Sequence, residues 1–282
     1  MTIEDATTHR VSLSDGGHLA VHVVGSGPDV LLLHGIPGSG SAWDGVAACL
    51  AERHRVLVPD LLGFGESSRP KQAERLWAQG QRDALLLALD HLGLERAAIV
   101  GHDFGGPVAL LLAAARPKLA THLVLAATNA FPDTPIPFPL SAVTWPWIGP
   151  LAERAALSGT ALSVTLRLGV GRPRIRLDRR AYVGDREQRR AIRKIFATSL
   201  RGLAERYEPI AENLSTIDVP TLVLWGDRDP FFPVEQGRRL AAAIPGARFA
   251  VYEGAGHFLP EERAEAFAED LRMLHEEGVV TR

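Results

Sequence analysis

Apolar residues in this chain fall into short uninterrupted runs separated by polar, Gly-rich or Pro-rich stretches. The runs are Val30 to Leu33, Val56 to Val58, Ala97 to Val100, His122 to Ala126, Thr221 to Trp225 and Arg248 to Val251. A run without polar alternation predicts a strand covered on both faces. Helical stretches such as Val108 to Ala115 lie between most of the runs. Alternating β and α segments predict an α/β fold, with a mainly parallel central sheet and helices on both faces. Two earlier runs, Thr8 to Leu13 and His18 to Val24, are separated by Asp15-Gly16-Gly17, which predicts an antiparallel hairpin at the start.

The rhythm breaks between Phe131 and Asn213. No strand-like run occurs there, and the opening stretch holds Pro132, Pro135, Pro137, Pro139, Pro146 and Pro150. The pattern predicts a core made of residues 1–130 and 214–282, with 131–213 as a helical insertion. From Arg167 to Arg206 there are thirteen Lys or Arg against four Asp or Glu, so the insertion is basic, and a solvated helix face is the simpler reading of that charge.

Composition narrows the class. With 46% hydrophobic and 23% charged residues over 282 positions, the chain has the make-up of a globular protein with one large core. Its net charge of −2 gives no electrostatic footprint for nucleic acid. Cys49 stands alone, so no intramolecular disulfide is expected and a reducing compartment fits. Met1 to Arg10 lack the apolar stretch of a secretory signal, and no apolar run nears the roughly 18 residues of a membrane span. The expectation is a cytoplasmic protein with no membrane or nucleic-acid partner and no internal repeat.

The sharpest chemical signal is Gly101-His102-Asp103-Phe104-Gly105-Gly106, between an apolar strand and a helical run. Strand, tight turn and helix make the setting of a nucleophile elbow, where small residues leave room for a strained central residue. The central residue here is Asp103; the plainer alternative is a helix cap. His34-Gly35-Ile36-Pro37 follows an earlier strand and has the look of an oxyanion-hole loop. The amides of Ile36 and Phe104 would then converge on one oxygen near Asp103. Asp227 and Asp229 compete as the acid after the strand ending at Trp225, and His257 lies in Gly254-Ala255-Gly256-His257-Phe258 after the last strand. Nucleophile, acid and His thus occur in the chain order of a catalytic triad, each on a loop at a strand end. His102 is expected to pack away from the nucleophile. Neither a metal motif nor a phosphate loop is present, so no cofactor is expected.

On these motifs, together with Pro59-Asp60-Leu61-Leu62-Gly63-Phe64-Gly65-Glu66-Ser67, the chain resembles the α/β-hydrolase fold family over nearly its whole length. The resemblance implies that 131–213 is a cap domain, and its Gly-x-x-Asp spacing favours Asp229 over Asp227. An Asp at the elbow is similar to the epoxide hydrolase and haloalkane dehalogenase branch, whereas ester-cleaving members usually carry Ser. That branch implies a covalent alkyl ester on Asp103, hydrolysed with help from His257 and Asp229. Phe104 lacks the N–H of the Trp that dehalogenases carry there, and the Arg of fluoroacetate dehalogenases is also absent. Opening of an epoxide to a vicinal diol on a small apolar substrate is therefore expected first. Dehalogenation, ester or lactone hydrolysis, and non-hydrolytic ligand binding follow in that order. Epoxide hydrolases use two cap tyrosines, for which the candidates are Tyr207 and Tyr182. Their positions differ from the usual ones, which fall near Trp145-Pro146-Trp147 and Thr198, so Trp145 and Trp147 are further candidates as donors or pocket walls.

Overall fold

The computed structural model describes residues 6–14, 16–135, 141–142, 145, 147, 149–156, 158–171, 175, 177, 182 and 186–280. Asp15 of the expected hairpin turn, with Pro137, Pro139 and Pro146, lies outside the described residues. The strands are β1 (Thr7–Ser12), β2 (His18–Val24), β3 (Asp29–Leu33), β4 (Arg55–Pro59), β5 (Ala97–His102), β6 (Ala120–Ala126), β7 (Thr221–Gly226) and β8 (Arg248–Tyr252). They form one sheet in the order β1-β2-β4-β3-β5-β6-β7-β8. β2 pairs antiparallel with β1 and β4, and the remaining pairs are parallel, as the apolar runs predict.

Period-two geometry sends alternate side chains of each strand to opposite faces. Leu31, Leu33, Ile99, Leu123, Leu125, Val223 and Trp225 enter one core layer with α3 (Ala78–His91), α4 (Gly105–Ala115) and α9 (Val234–Ala243). Val30, Leu32, Ala98, Val100, Val124, Leu222 and Leu224 enter the other, with α1 (Asp44–Leu50) and α11 (Ala264–Val280). Both faces are covered, so the central runs need no polar alternation. β8 departs from that expectation. It is the edge strand, its residues are half-buried or exposed, and Val251 is 37% exposed.

Between β6 and β7 the described residues carry α5 (Gly149–Ala156), α6 (Gly159–Gly169), α7 (Arg186–Arg201) and α8 (Leu203–Asn213), and no strand. On α7, Gln188, Ala191, Ile192 and Ile195 are buried at helical spacing, while Arg186 and Arg190 are exposed. Arg186 and Arg190 thus lie on a solvated face of this helix. Tyr207 and Ile210 turn inward from α8.

The topology fixes where loops converge. From β3 the chain moves outward to β4 and returns on the other side as β5, so β3 and β5 are neighbours whose outgoing loops diverge. Such a switch point leaves a crevice at the carboxyl ends of the strands. Leu33 pairs with Gly101 and His102 with Ala126, which sets the loop after β3 beside the turn after β5.

Leu32 has no exposed surface and sits mid-strand in the layer against α1 and α11. Leu32→Ala should cost about 2–5 kcal/mol in urea unfolding, from lost transfer energy and a residual cavity. A loss below about 1 kcal/mol would contradict the packing described.

Candidate active site

Asp103 terminates β5 in the left-handed backbone region, at φ +50°. An L-residue stays there only when its surroundings hold it. Its N–H donates to the Ala126 carbonyl at 3.1 Å, and its own carbonyl accepts from Thr128 Oγ1 at 2.5 Å and from the Gly106 N–H at 3.1 Å. The turn throws the carboxylate up against the loop after β3. Gly35 leaves the space, since a Cβ there would lie 2.5 Å from Asp103 Cβ. In the same loop the Ile36 N–H donates to Asp103 Oδ1 at 2.6 Å. Phe104 follows as the cap of α4, so the carboxylate also sits at a helix N-terminus, where the backbone dipole favours an anion.

His34 shapes that loop from beneath. It is fully buried, its Nδ1–H donates to the Gly35 carbonyl at 2.9 Å, and its Nε2 accepts the Leu61 N–H at 3.0 Å. Burial lowers its pKa and keeps it neutral, as this pattern of bonds requires.

The other carboxylate is Asp229. Its Oδ1 accepts the Phe231 and Phe232 N–H groups at 2.8 and 3.1 Å, and its Oδ2 faces His257 Nδ1 at 2.9 Å. Asp227 turns elsewhere, accepting the Gly254 N–H at 2.7 Å. Geometry therefore selects Asp229 as the partner of His257. The far ring nitrogen, Nε2, lies 3.6 Å from Asp103 Oδ2. One imidazole, 3% exposed, is thereby held between two carboxylates that are 16% and 0% exposed.

The charges respond as electrostatics demands. Burial acts to lower the His257 pKa, but Asp229 and Asp103 overcome it and raise it to about 10. Asp103 is held below the usual carboxylate range: burial opposes its charge, and His257, His102 and the Ile36 amide outweigh that cost. At neutral pH the site holds an Asp103 anion beside an imidazolium. His102 behaves oppositely: burial first, then the charge on His257, push it down to about 4. Its neutral Nε2–H donates to the His257 carbonyl at 2.8 Å, and the two rings are 5.0 Å apart. It packs away from the nucleophile, as expected, but onto the general-base candidate.

The tyrosines and tryptophans separate cleanly. Tyr207 is buried in α8, and its hydroxyl is pushed up in pKa by burial and then by the negative charge of Asp103, with the Asn129 amide pulling the other way. Tyr182 is buried against Phe258, centroids 5.4 Å apart, and its Cε1 is 3.2 Å from where a Cβ on Gly38 would lie. Trp145 and Trp147, expected as pocket walls or donors, are 52% and 95% exposed, so neither is part of a buried wall. Both precede α5 in the proline-rich stretch and lie on the outer surface. Trp77 was not singled out by sequence. Its ring stands 5.4 Å from both Phe104 and Tyr207, with the Arg206 guanidinium 5.3 Å over it. Its position just before α3 carries no motif, so only the fold reveals it. Thr128 and Asn129, in the loop after β6, were equally invisible. Among the described residues no cluster of His, Cys, Asp and Glu is arranged to hold a metal ion, and no helix is long and apolar enough to cross a membrane.

Comparison with known proteins agrees with this geometry at the level of the fold. An uncharacterized protein of Mycobacterium bovis, Mb2734, is 32% identical over 91% of this chain and 76% of its own length. A 2-hydroxy-6-oxononadienedioate/2-hydroxy-6-oxononatrienedioate hydrolase of Paraburkholderia phymatum is 29% identical over 94% of each chain. Among solved structures, the haloalkane dehalogenase DbeA of Bradyrhizobium elkani superposes with a TM-score of 0.83 at 21% identity, covering 99% of this chain and 100% of that one. The epoxide hydrolase CorEH gives 0.78 at 22% identity, covering 97% and 99%. Residues 28–264 match the model of the alpha/beta hydrolase fold family, and the chain belongs to that family.

Proposed function

We propose that this chain is a hydrolase that works through a covalent ester on Asp103, and that its substrate is a small apolar epoxide opened to a vicinal diol. The observation that carries the proposal is the carboxylate at the elbow, with Oδ1 on the Ile36 amide and Oδ2 toward His257. A carboxylate is an anion without help from a base, so the first step needs no proton removed from the nucleophile. Oδ2 attacks a ring carbon, the carbon–oxygen bond of the epoxide breaks, and the leaving oxygen takes a proton from Tyr207. Oδ1 then becomes the ester carbonyl oxygen, already on the donor that stabilises the tetrahedral oxyanion of the second step.

The paired charges give His257 its timing. Esterification removes the charge on Asp103, one of the two influences that hold the imidazole protonated. Burial then works against Asp229 alone, the pKa falls, and His257 gives up the proton that restores the tyrosine. The neutral ring is now a base for the water that attacks the ester carbonyl. As the tetrahedral intermediate collapses, the bond from Asp103 Cγ to Oδ2 breaks and the departing diol oxygen takes the proton of the new carboxyl group. This leaves Asp103 an anion beside a protonated His257. Asp229 keeps the ring oriented. Tyr207 suits the donor's part because its raised pKa keeps it a neutral hydroxyl.

Haloalkane release is a second reading, favoured by one feature. Trp77 packs on Phe104, the residue after the nucleophile, and its buried Nε1–H has no hydrogen-bond partner, so an unused indole donor is held one side chain away from Asp103. A halide needs N–H donors and no acid.

Styrene oxide and a chloroalkane offered to the parent protein separate the two readings, and diol production from the epoxide is expected to dominate. Asp103→Ala should retain at most a few per cent of that activity while staying folded, since the carboxylate that forms the ester is gone. His257→Gln should still alkylate but hydrolyse its ester about 100- to 10,000-fold more slowly, so its intact mass should rise by one substrate. A His257→Gln protein that never gains mass would show that His257 acts on the nucleophile, and the ester mechanism would fail.

Tyr207→Phe should slow ester formation roughly 10- to 1000-fold and leave hydrolysis of the preformed ester nearly unchanged. Equal rates for Tyr207→Phe and parent, with slowing in Trp77→Phe instead, would move the reading to halide release.

The His257 pKa tests the timing directly. Titration by NMR should place it near 10 in the free protein. Asp103→Asn should lower it, because the neutral amide no longer favours the charged ring. Hydrolysis of the ester should accordingly gain rate with rising pH at values below the free-protein pKa. An unchanged His257 pKa in Asp103→Asn would contradict the mechanism.

A further inference from the structure

The His257 loop is bound to the end of α6 by its backbone. The His257 N–H donates to the Gly169 carbonyl at 2.7 Å. A Cβ on Gly256 would lie 2.1 Å from that same carbonyl oxygen, and one on Gly171 would lie 2.1 Å from the Gly254 carbonyl oxygen. The two backbones are in direct contact, and side chains at these positions would force them apart.

One buried carboxylate closes the seam. Glu262, 8% exposed at the end of α10 (Leu259–Glu262), accepts three backbone donors. Its Oε2 takes the Gly171 N–H at 2.8 Å and the Gly256 N–H at 3.0 Å, and its Oε1 takes the Phe258 N–H at 3.2 Å. The residues on either side of His257, and Gly171 two positions beyond α6, are therefore held by a single group. Both oxygens accept, so an amide in its place would turn an N–H₂ toward at least one N–H donor. Tyr182, from the same region of the chain, rests on Phe258.

We infer that Glu262 is a positioning residue that couples the 169–171 segment to His257, so that placement of that segment governs hydrolysis of the Asp103 ester. The inference rests on the proposed ester mechanism for its kinetic consequence, and on the seam alone for its structural one. The hydrogen bonds of Glu262 run to backbone amides of the seam and not to Asp103. Glu262 acts on the aim of the His257 ring at the water, a step in which small displacements are costly. Ester formation depends on Asp103, the Ile36 amide and Tyr207, whereas Glu262 hydrogen-bonds Gly171, Gly256 and Phe258.

The test uses the full chain with styrene oxide. Glu262→Gln should slow ester hydrolysis about 10- to 100-fold, so the alkylated species accumulates by intact mass, while ester formation changes by less than about threefold. Glu262→Asp should recover part of the hydrolysis rate. Hydrogen exchange at the Gly171 and Gly256 amides should rise in Glu262→Gln. Gly171→Ala attacks the seam from the other side with α10 untouched, should give the same split between the two steps, and decides the matter where Glu262→Gln fails to fold. Hydrolysis at the parent rate, or an equal fall in both steps, would overturn the inference. If His257→Gln accumulates no ester, the Asp103 mechanism is at fault, and the exchange at Gly171 and Gly256 still reports on the seam.

Discussion

Two carboxylates share one buried imidazole, and much of the site is arranged so that this can persist. Bringing Asp103, Asp229 and His257 out of water is unfavourable unless each charge is paired and hydrogen-bonded. Asp229 meets that condition with two backbone amides and the His257 ring. Asp103 meets it with the Ile36 amide and the N-terminus of α4, at the cost of an unfavourable backbone conformation that Ala126, Thr128 and Gly106 stabilise. The arrangement is rigid where atoms must be placed. It is electrically poised, because neutralising one carboxylate changes the basicity of the ring between them.

The sheet supplies the geometry for this pairing. Parallel strands deliver their carboxyl ends to one edge, and the strand order reverses between β3 and β5, the point at which sheets of this kind carry their sites. Asp103, Asp229 and His257 come from the ends of β5, β7 and β8, with the Ile36 amide from the loop after β3. Residues far apart in sequence are thus brought together by backbone pairing, while the two apolar layers hold the sheet.

Much of this was legible in the sequence because its causes are local. Uninterrupted apolar runs announce strands with two covered faces, and glycines around Asp103 announce a turn that cannot tolerate bulk. The family resemblance favoured Asp229 over Asp227, and the hydrogen bonds divide the two in the same way: Asp229 faces His257 and Asp227 is engaged with Gly254. What could not be read depends on long-range packing. Trp145 and Trp147 have the composition of a pocket wall, but no periodicity fixed their direction, and they face outward. Trp77 carries no motif yet touches Phe104 and Tyr207. Glu262 reads as one more acidic residue a few positions after His257, and only the fold brings Gly171 to it. β8 looked like its neighbours because its apolar run is intact, and its exposure follows from being last in the sheet.

In the proposed mechanism water attacks the Asp103 ester and not the substrate carbon. A single turnover in oxygen-18 water, with enzyme in excess over styrene oxide, tests it most directly when peptide mass spectrometry follows the fragment containing Asp103. The mechanism predicts one labelled oxygen in the Asp103 carboxylate and an unlabelled diol, because the product carries away an oxygen that belonged to the enzyme. Label in the diol during that first turnover, with Asp103 unlabelled, would contradict it.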